Sequence, residues 1–400
     1  MMKYYVSQWS LLRKDEIIEL PEDFEIHSDY LKILDKDEVI SAVRNIRAMF
    51  LNIYQDIADF PERFKMPMIE INENEFTPMG APPAKALPSK TAPFMFFDAL
   101  INVLISGHME NDEIIIEDAE NLKEANNNYK VIEQKTYQIK NVDRIYSQFE
   151  NYGFHMMGLK NYKFIKDNPT ITLSYLDEPA LLMVLKWMAD KAHKFGRRHD
   201  FMQCHYRLLQ DSVDSCCFGK GLDYVVDRLH AKEERDCAYK IDAALRKLGL
   251  VSYIDTSEDS VALNYSLLYY ENKKDIGKFN KSNFRISSSL FPNKLEGMKL
   301  PCVSSTQKKL YFRIRTKNIQ NSAEHIEKCS DNLRGVFVPG DTGCGNRPGC
   351  EGGRLGGGQS YVIDYVSCWK CGCATGKFVA LQPCIEDVND YIKLAELCNR

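Results

Sequence analysis

The sequence lacks most of the features that name a compartment or a reaction outright. Its longest apolar run, ALINVLIS (99–106), is about a third of a bilayer span, so no segment reads as a membrane helix. The first residues, MMKYYVSQWSLLRKDE, have no continuous hydrophobic region and no small-residue cleavage site. That argues against a signal peptide and makes the cytoplasm the expected location. Thiols stay reduced there, which argues against disulfides among the 13 cysteines. Neither sign of charge dominates: 52 Lys and Arg stand against 56 Asp and Glu, a net of −4, and overall charge gives no support for a nucleic-acid partner. No convergent catalytic set is legible either. EGGRLGGG (351–358) lacks the Lys-Ser/Thr of a phosphate loop, with no clear strand before it and no helix after it. Cys204 and His205 are sequence neighbours, which on a strand point to opposite faces and cannot act as nucleophile and base.

What is present is an ordinary globular composition, 44% hydrophobic and 27% charged, in 400 residues, enough for two or three domains. Charge is unevenly spread. Residues 1–120 carry 23 acidic against 11 basic side chains, whereas 273–317 carry 12 basic residues against Asp275 and Glu296. Such asymmetry hints at an anionic partner or at docking between the halves. Residues 37–59 form the clearest helix: Val39, Val43, Ile46, Phe50, Ile53 and Ile57 make one apolar stripe, with Asp35 or Asp37 as cap. The five prolines of TPMGAPPAKALPSKTAP (77–93) predict a linker or an extended loop with no regular element. A short helix (94–107), a strand EIIIED (113–118) and an exposed Asn-rich stretch (121–130) are expected next.

A helix, a glycine stop and two β-rich runs then occur twice. The first set is 141–153 with YKFI (162–165) and TITLSY (170–175); the second is 232–249 with LVSYI (250–254) and VALNYS (261–266). This fits a duplication, a common way of covering a sheet, or a winged helix. Between the two sets lies a helix at 179–195 with Pro179 in its first turn. KKLYFRIRTKN (308–318) alternates as a strand, followed by a Ser322-capped helix, a strand GVFV (335–338), and a closing helix at 385–398. The expected class is α+β and multi-domain, with mixed helices and antiparallel sheets and a small cysteine-rich, zinc-ribbon-like C-terminal part. The expected divisions are 1–76 (helical), 77–93 (linker), 94–275 (α+β with helix–hairpin units) and 276–400 (basic β–α–β plus cysteine-rich domain).

Nine of the 13 cysteines lie after residue 300. Cys344-x5-Cys350-x17-Cys368-x2-Cys371 offers two thiolate pairs, which is what a tetrahedral structural zinc requires, with Cys373 in reserve. Gly345 and Gly372 supply the small residues a metal turn needs. The first spacer is longer than the usual two to four residues. Other readings are buried inert thiols, a redox pair at Cys368/Cys371 or Cys371/Cys373, and an iron–sulfur cluster. His325 and Cys329, at i and i+4 on one helix, could also supply ligands, although a helix-surface pair is the favoured reading. Tyr311, Arg313 and Arg315 are expected on the outward face of their strand, where they could stack a base and hold phosphates. A plainly wetted sheet face is preferred.

The order TLSYLDEP…LLMVLKWMA, DYVVDRLHAKEERDCAYKIDAALRKLG, LYFRIRTKN and the C-terminal cysteines resembles an uncharacterised group of clostridial-type bacterial proteins, over roughly 140–400. The resemblance implies no activity. The expectation is a cytosolic binding or regulatory protein, leaning non-enzymatic, with a structural zinc. The alternatives are a nucleic-acid-associated protein using the 273–317 basic strand and a thiol-dependent enzyme or redox protein. No membrane partner is expected.

Overall fold

A computed structural model describes residues 3–398 apart from 76–82, 128–129, 133–134, 138, 166–169, 177, 217–220, 230, 257–264, 271–283, 290–308, 317, 339, 341–357 and 371–377. The class is α+β, with antiparallel sheets. The chain divides into two compact units: Met1–Glu73 with Pro83–Phe218, and Asn74–Pro82 with Gly219–Arg400. The division thus falls at 218/219, whereas the boundary anticipated at 275 lies in a stretch outside the described residues. Among the described residues, no helix is long and apolar enough to cross a membrane.

The first unit is built around α2 (Lys36–Asp59), packed with α1 (Tyr5–Lys14). Asp35 accepts from the Glu38 N–H, and the Glu38 side chain answers the Asp35 N–H, so two orphan donors of the first turn are satisfied reciprocally. The predicted stripe from Val39 to Ile57 is fully buried. Each such side chain contributes about 1.5–3 kcal/mol by leaving water. Phe50 meets Phe97 of α3 (Phe94–Ser106) edge-on at 4.8 Å. The Pro-rich stretch departs from expectation, because Leu87–Thr91 is helical. Pro88 sits in the first turn, where its missing N–H has no partner to lose. The Asn-rich stretch is not simply exposed either. It forms α4 (Ala119–Asn127), and Asn126 is buried, donating to Tyr146 Oη (2.7 Å) and accepting from Asn102 (3.1 Å).

A four-stranded antiparallel sheet packs in this unit, with β1 (His108–Glu110), β2 (Glu113–Ile116), β3 (Phe154–Met157) and β4 (Ile171–Tyr175) in the order β1-β2-β4-β3, and Lys130–Ile132 pairs with Lys135–Tyr137 in a separate small sheet. α5 (Val142–Phe149) runs through a 3-10 turn to Gly153 at φ +84, and β3 follows at once. YKFI is therefore not the partner strand. Asn161 and Tyr162 take positive φ, and Lys160 and Lys163 exchange backbone hydrogen bonds across them, which spends that segment on a tight turn. α6 (Pro179–Lys194) begins with Pro179 as predicted, and its buried Lys191 is satisfied by the Asp211 and Ser212 carbonyls. Cys204 and His205 lie on a connection after the short helix Arg198–Met202, not on a strand, and both are fully buried.

The second unit holds α7 (Lys232–Lys247) against a five-stranded antiparallel sheet. Its strands are β5 (Val251–Thr256), β6 (Tyr265–Tyr270), β7 (Phe284–Ser289), β8 (Lys309–Arg315) and β9, the late strand Phe378–Leu381, in the order β9-β8-β7-β6-β5. Asp242 of α7 accepts from Tyr269 of β6, and Glu234 accepts from the Leu310 N–H of β8 (3.3 Å). In both units a helix, a positive-φ glycine (Gly153, Gly249) and an antiparallel pair at a sheet edge follow in order. Neither pair stands free as a wing, because each continues into a larger sheet.

After β8 the anticipated β–α–β arrangement fails. The segment runs as a 3-10 turn (Ile319–Ser322), α8 (Ala323–Glu327) and α9 (Asp331–Gly335). Ser322 makes no capping bond to α8. Ser330 instead accepts from the Leu333 N–H, which breaks the expected single helix and starts a new one. GVFV begins at the last residue of α9 and continues into the turn that follows, and is not a strand. β10 (Gln359–Ile363) and β11 (Val366–Lys370) form a two-stranded hairpin, and α10 (Val388–Cys398) closes the described chain.

Candidate metal centre

Two groups of potential ligands sit in the second unit. The cysteine set predicted from spacing is represented by Cys368, on β11 and 4% exposed, with Sγ 3.5 Å from the Val366 carbonyl. Burial raises its thiol pKa, partly offset by Lys370. Cys344, Cys350, Cys371 and Cys373 lie outside the described residues.

The described chain around Cys368 is informative about where those residues attach. The connection bearing Cys344 and Cys350 leaves at Gly340 and returns at Gly358, and both glycines lie against Trp369. A side chain at Gly340, which has φ +88, would meet the Trp369 backbone at 2.8 Å and Cys368 Cβ at 3.3 Å. One at Gly358 would meet the indole ring at 2.3 Å. Only glycine permits either approach. Cys371 comes directly after the last residue of β11.

The second group is resolved atom by atom. Ala323 and Ile326 of α8 point into the core, which leaves His325 on the half-buried flank and Cys329 just beyond the helix end. Val388, Tyr391, Leu394, Ala395 and Cys398 form the buried stripe of α10, so Asp390 sits beside that stripe in the first turn. His325 Nε2 is 3.6 Å from Cys329 Sγ and 3.8 Å from Asp390 Oδ1, and the three ligand atoms all lie within 4.8 Å of one another. A His/Cys/Asp group at metal-binding distance is therefore present. Cys329 also donates to the His325 carbonyl (3.1 Å), and His325 Nε2 is 3.1 Å from the Asp390 carbonyl.

Hydrogen bonds among the neighbouring residues tie Ser330, next to Cys329, to the start of α10. Ser330 donates to Asp387 Oδ2 (2.7 Å), as does Tyr391 (3.3 Å), and Tyr391 Oη accepts the Cys384 N–H (2.9 Å). Burial, reinforced by the charges of Asp390 and Asp387, pushes the Cys329 thiol up to about 11. A bound cation reverses that balance, because metal ligation takes the thiolate. Asp390 escaped the sequence reading. It lies 65 residues from His325, and an acidic residue in a helix's first turn has an ordinary reading.

The basic strand fares differently. Leu310, Phe312 and Ile314 are buried as the alternation requires. Tyr311, expected to face outward, is only 4% exposed, and Arg313 is half-buried. The face expected to be wet is therefore covered at Tyr311. Tyr311 is not available to stack a base. Nothing is described of the Arg315 side chain.

No protein-family model matches the chain, and no curated protein and no solved structure matches it.

Proposed function

We propose that this is a cytosolic, non-enzymatic binding or regulatory protein whose C-terminal unit is held by a structural zinc ion on Cys344, Cys350, Cys368 and Cys371, with Cys373 in reserve. The convergence of chain segments on Trp369 carries the reading. An extended residue spans at most about 3.6 Å, so Cys344 lies within about 14 Å of Gly340 and Cys371 within about 11 Å of Cys368. Gly340 itself packs on Cys368. The buried Cys368 thus lies beside Gly340, four residues before Cys344 in sequence, and three residues before Cys371. An all-thiolate site is closed and leaves no position for a reacting water, which is why the role is structural.

Metal content of the purified full-length chain tests this. Zinc is expected, and Cys368→Ser and Cys371→Ser should each lower it by about one equivalent per chain while destabilising the second unit. A well-folded protein whose zinc content is indifferent to both substitutions would sink the reading.

A further inference from the structure

We propose that His325, Cys329 and Asp390 form a second metal site, which takes a zinc ion with water as its fourth ligand. The inference stands independently of the cysteine cluster, because the two ligand sets share no residue.

The donor set selects the ion. An imidazole nitrogen, a thiolate and a carboxylate suit zinc and its first-row neighbours, whereas magnesium and calcium require oxygen throughout. Geometry then tests the fit. With Zn–N near 2.0–2.1 Å and Zn–S near 2.3 Å, tetrahedral angles put nitrogen and sulfur about 3.6 Å apart. The His325 Nε2 to Cys329 Sγ distance is 3.6 Å. Nitrogen and oxygen belong about 3.4 Å apart in the same geometry. His325 and Asp390 stand at 3.8 Å, about 0.4 Å wide of that, and the Cys329 sulfur and the Asp390 carboxylate, within 4.8 Å of each other, close to about 3.6 Å on binding. The Asp390 side chain is 43% exposed and is free to make that adjustment.

The residues around the ligands favour a cation. Asp387, a further carboxylate, is buried at the start of α10, where Ser330 and Tyr391 donate to it. Without an ion the Cys329 thiol donates to the His325 carbonyl, which also accepts the Lys328 N–H, and the imidazole nitrogen faces the Asp390 carbonyl. A divalent ion takes the thiolate of Cys329, whose proton goes to solvent, together with the imidazole nitrogen and the carboxylate, and turns the three groups into ligands. The partial exposure of His325 and Asp390 leaves one side open to solvent, which supplies the water.

The consequence for the fold is specific. The site joins the end of α8 to the first turn of α10, and everything between Cys329 and Asp390 lies inside the closure, including the segment that bears Cys344 to Cys373. An open, three-ligand site of this kind exchanges its ion more readily than a four-thiolate one, so metal availability can loosen or tighten the last helix without dismantling the cysteine cluster.

The test is a titration of chelator-stripped full-length protein with Co(II) and, separately, with Zn(II). Two equivalents are expected to bind the unsubstituted chain. His325→Ala, Cys329→Ser and Asp390→Asn should each weaken one equivalent by at least about 10–100-fold, the loss that follows even from removing a supporting residue. They should leave the equivalent that depends on Cys368 in place. The Asp390→Asn and Cys329→Ser variants preserve side-chain shape, and far-UV circular dichroism checks that they remain folded. Binding and Co(II) spectra unchanged in all three variants would overturn the proposal. If the cysteine cluster proves metal-free, one equivalent lost with His325 and indifferent to Cys368→Ser still supports this site.

Discussion

Cys204 shows what a single buried group does to the pH dependence of folding. Its thiol is fully buried, 3.9 Å from the Val43 carbonyl, and burial pushes it up from 9.0 to about 12. In the unfolded chain it ionises near 9; in the folded chain it stays neutral. The stability associated with the neutral thiol is therefore complete below pH 9 and is lost as pH rises toward 12, at about 1.4 kcal/mol per pH unit. Urea unfolding at pH 8 and pH 10 should show the unsubstituted protein losing stability more steeply than Cys204→Ala. Parallel losses would mean that the thiol ionises alike in both states. The same burial makes Cys204 inert as a nucleophile, which disposes of the Cys204–His205 couple more firmly than strand geometry does.

At the level of elements, the legible parts of the fold were those whose signal is local and repeated. The α2 stripe and its Asp35 cap, Pro179 at the start of α6, and the glycine stops of α5 and α7 all follow from spacing and backbone chemistry that a sequence displays directly. Asp35→Ala removes the cap of a 24-residue helix and is expected to cost about 1 kcal/mol, measurable as a shift in the urea midpoint without a change in slope. The misread elements were decided by competition between two plausible local states. YKFI has strand propensity, but Asn161 and Tyr162 accept positive φ and turn the chain. SAEHIEKCSDNL has helical periodicity throughout, yet Ser330 offers its hydroxyl to the Leu333 N–H and restarts the helix. Neither outcome is visible in periodicity, because each depends on which backbone partner wins. The candidate site was half legible for a related reason. His325 and Cys329 sit one helical turn apart, whereas Asp390 arrives only through tertiary packing of α10.

For the molecule as a whole, the two units place different demands on stability. The first buries a continuous aromatic and aliphatic core, in which Phe50, Phe96, Phe97, Phe149 and Phe154 are fully inaccessible. The second has a sheet and helix core, with the cysteine cluster 344–373 inserted in sequence between β8 and β9. Chelation should accordingly lower hydrogen-exchange protection in the second unit, above all in α10 and the β10–β11 hairpin, while α2 and α6 keep theirs. Equal loss of protection in both units would contradict a metal requirement confined to the second.

The packing of Gly340 and Gly358 on Trp369 also has a practical use. The three tryptophans are Trp9, Trp187 and Trp369, and the first two belong to the first unit. Replacing them with phenylalanine leaves a single indole, packed against Gly340 and Gly358. Its emission wavelength and quenching by iodide or acrylamide then report on that contact alone, giving the protein an intrinsic optical gauge that requires no attached label.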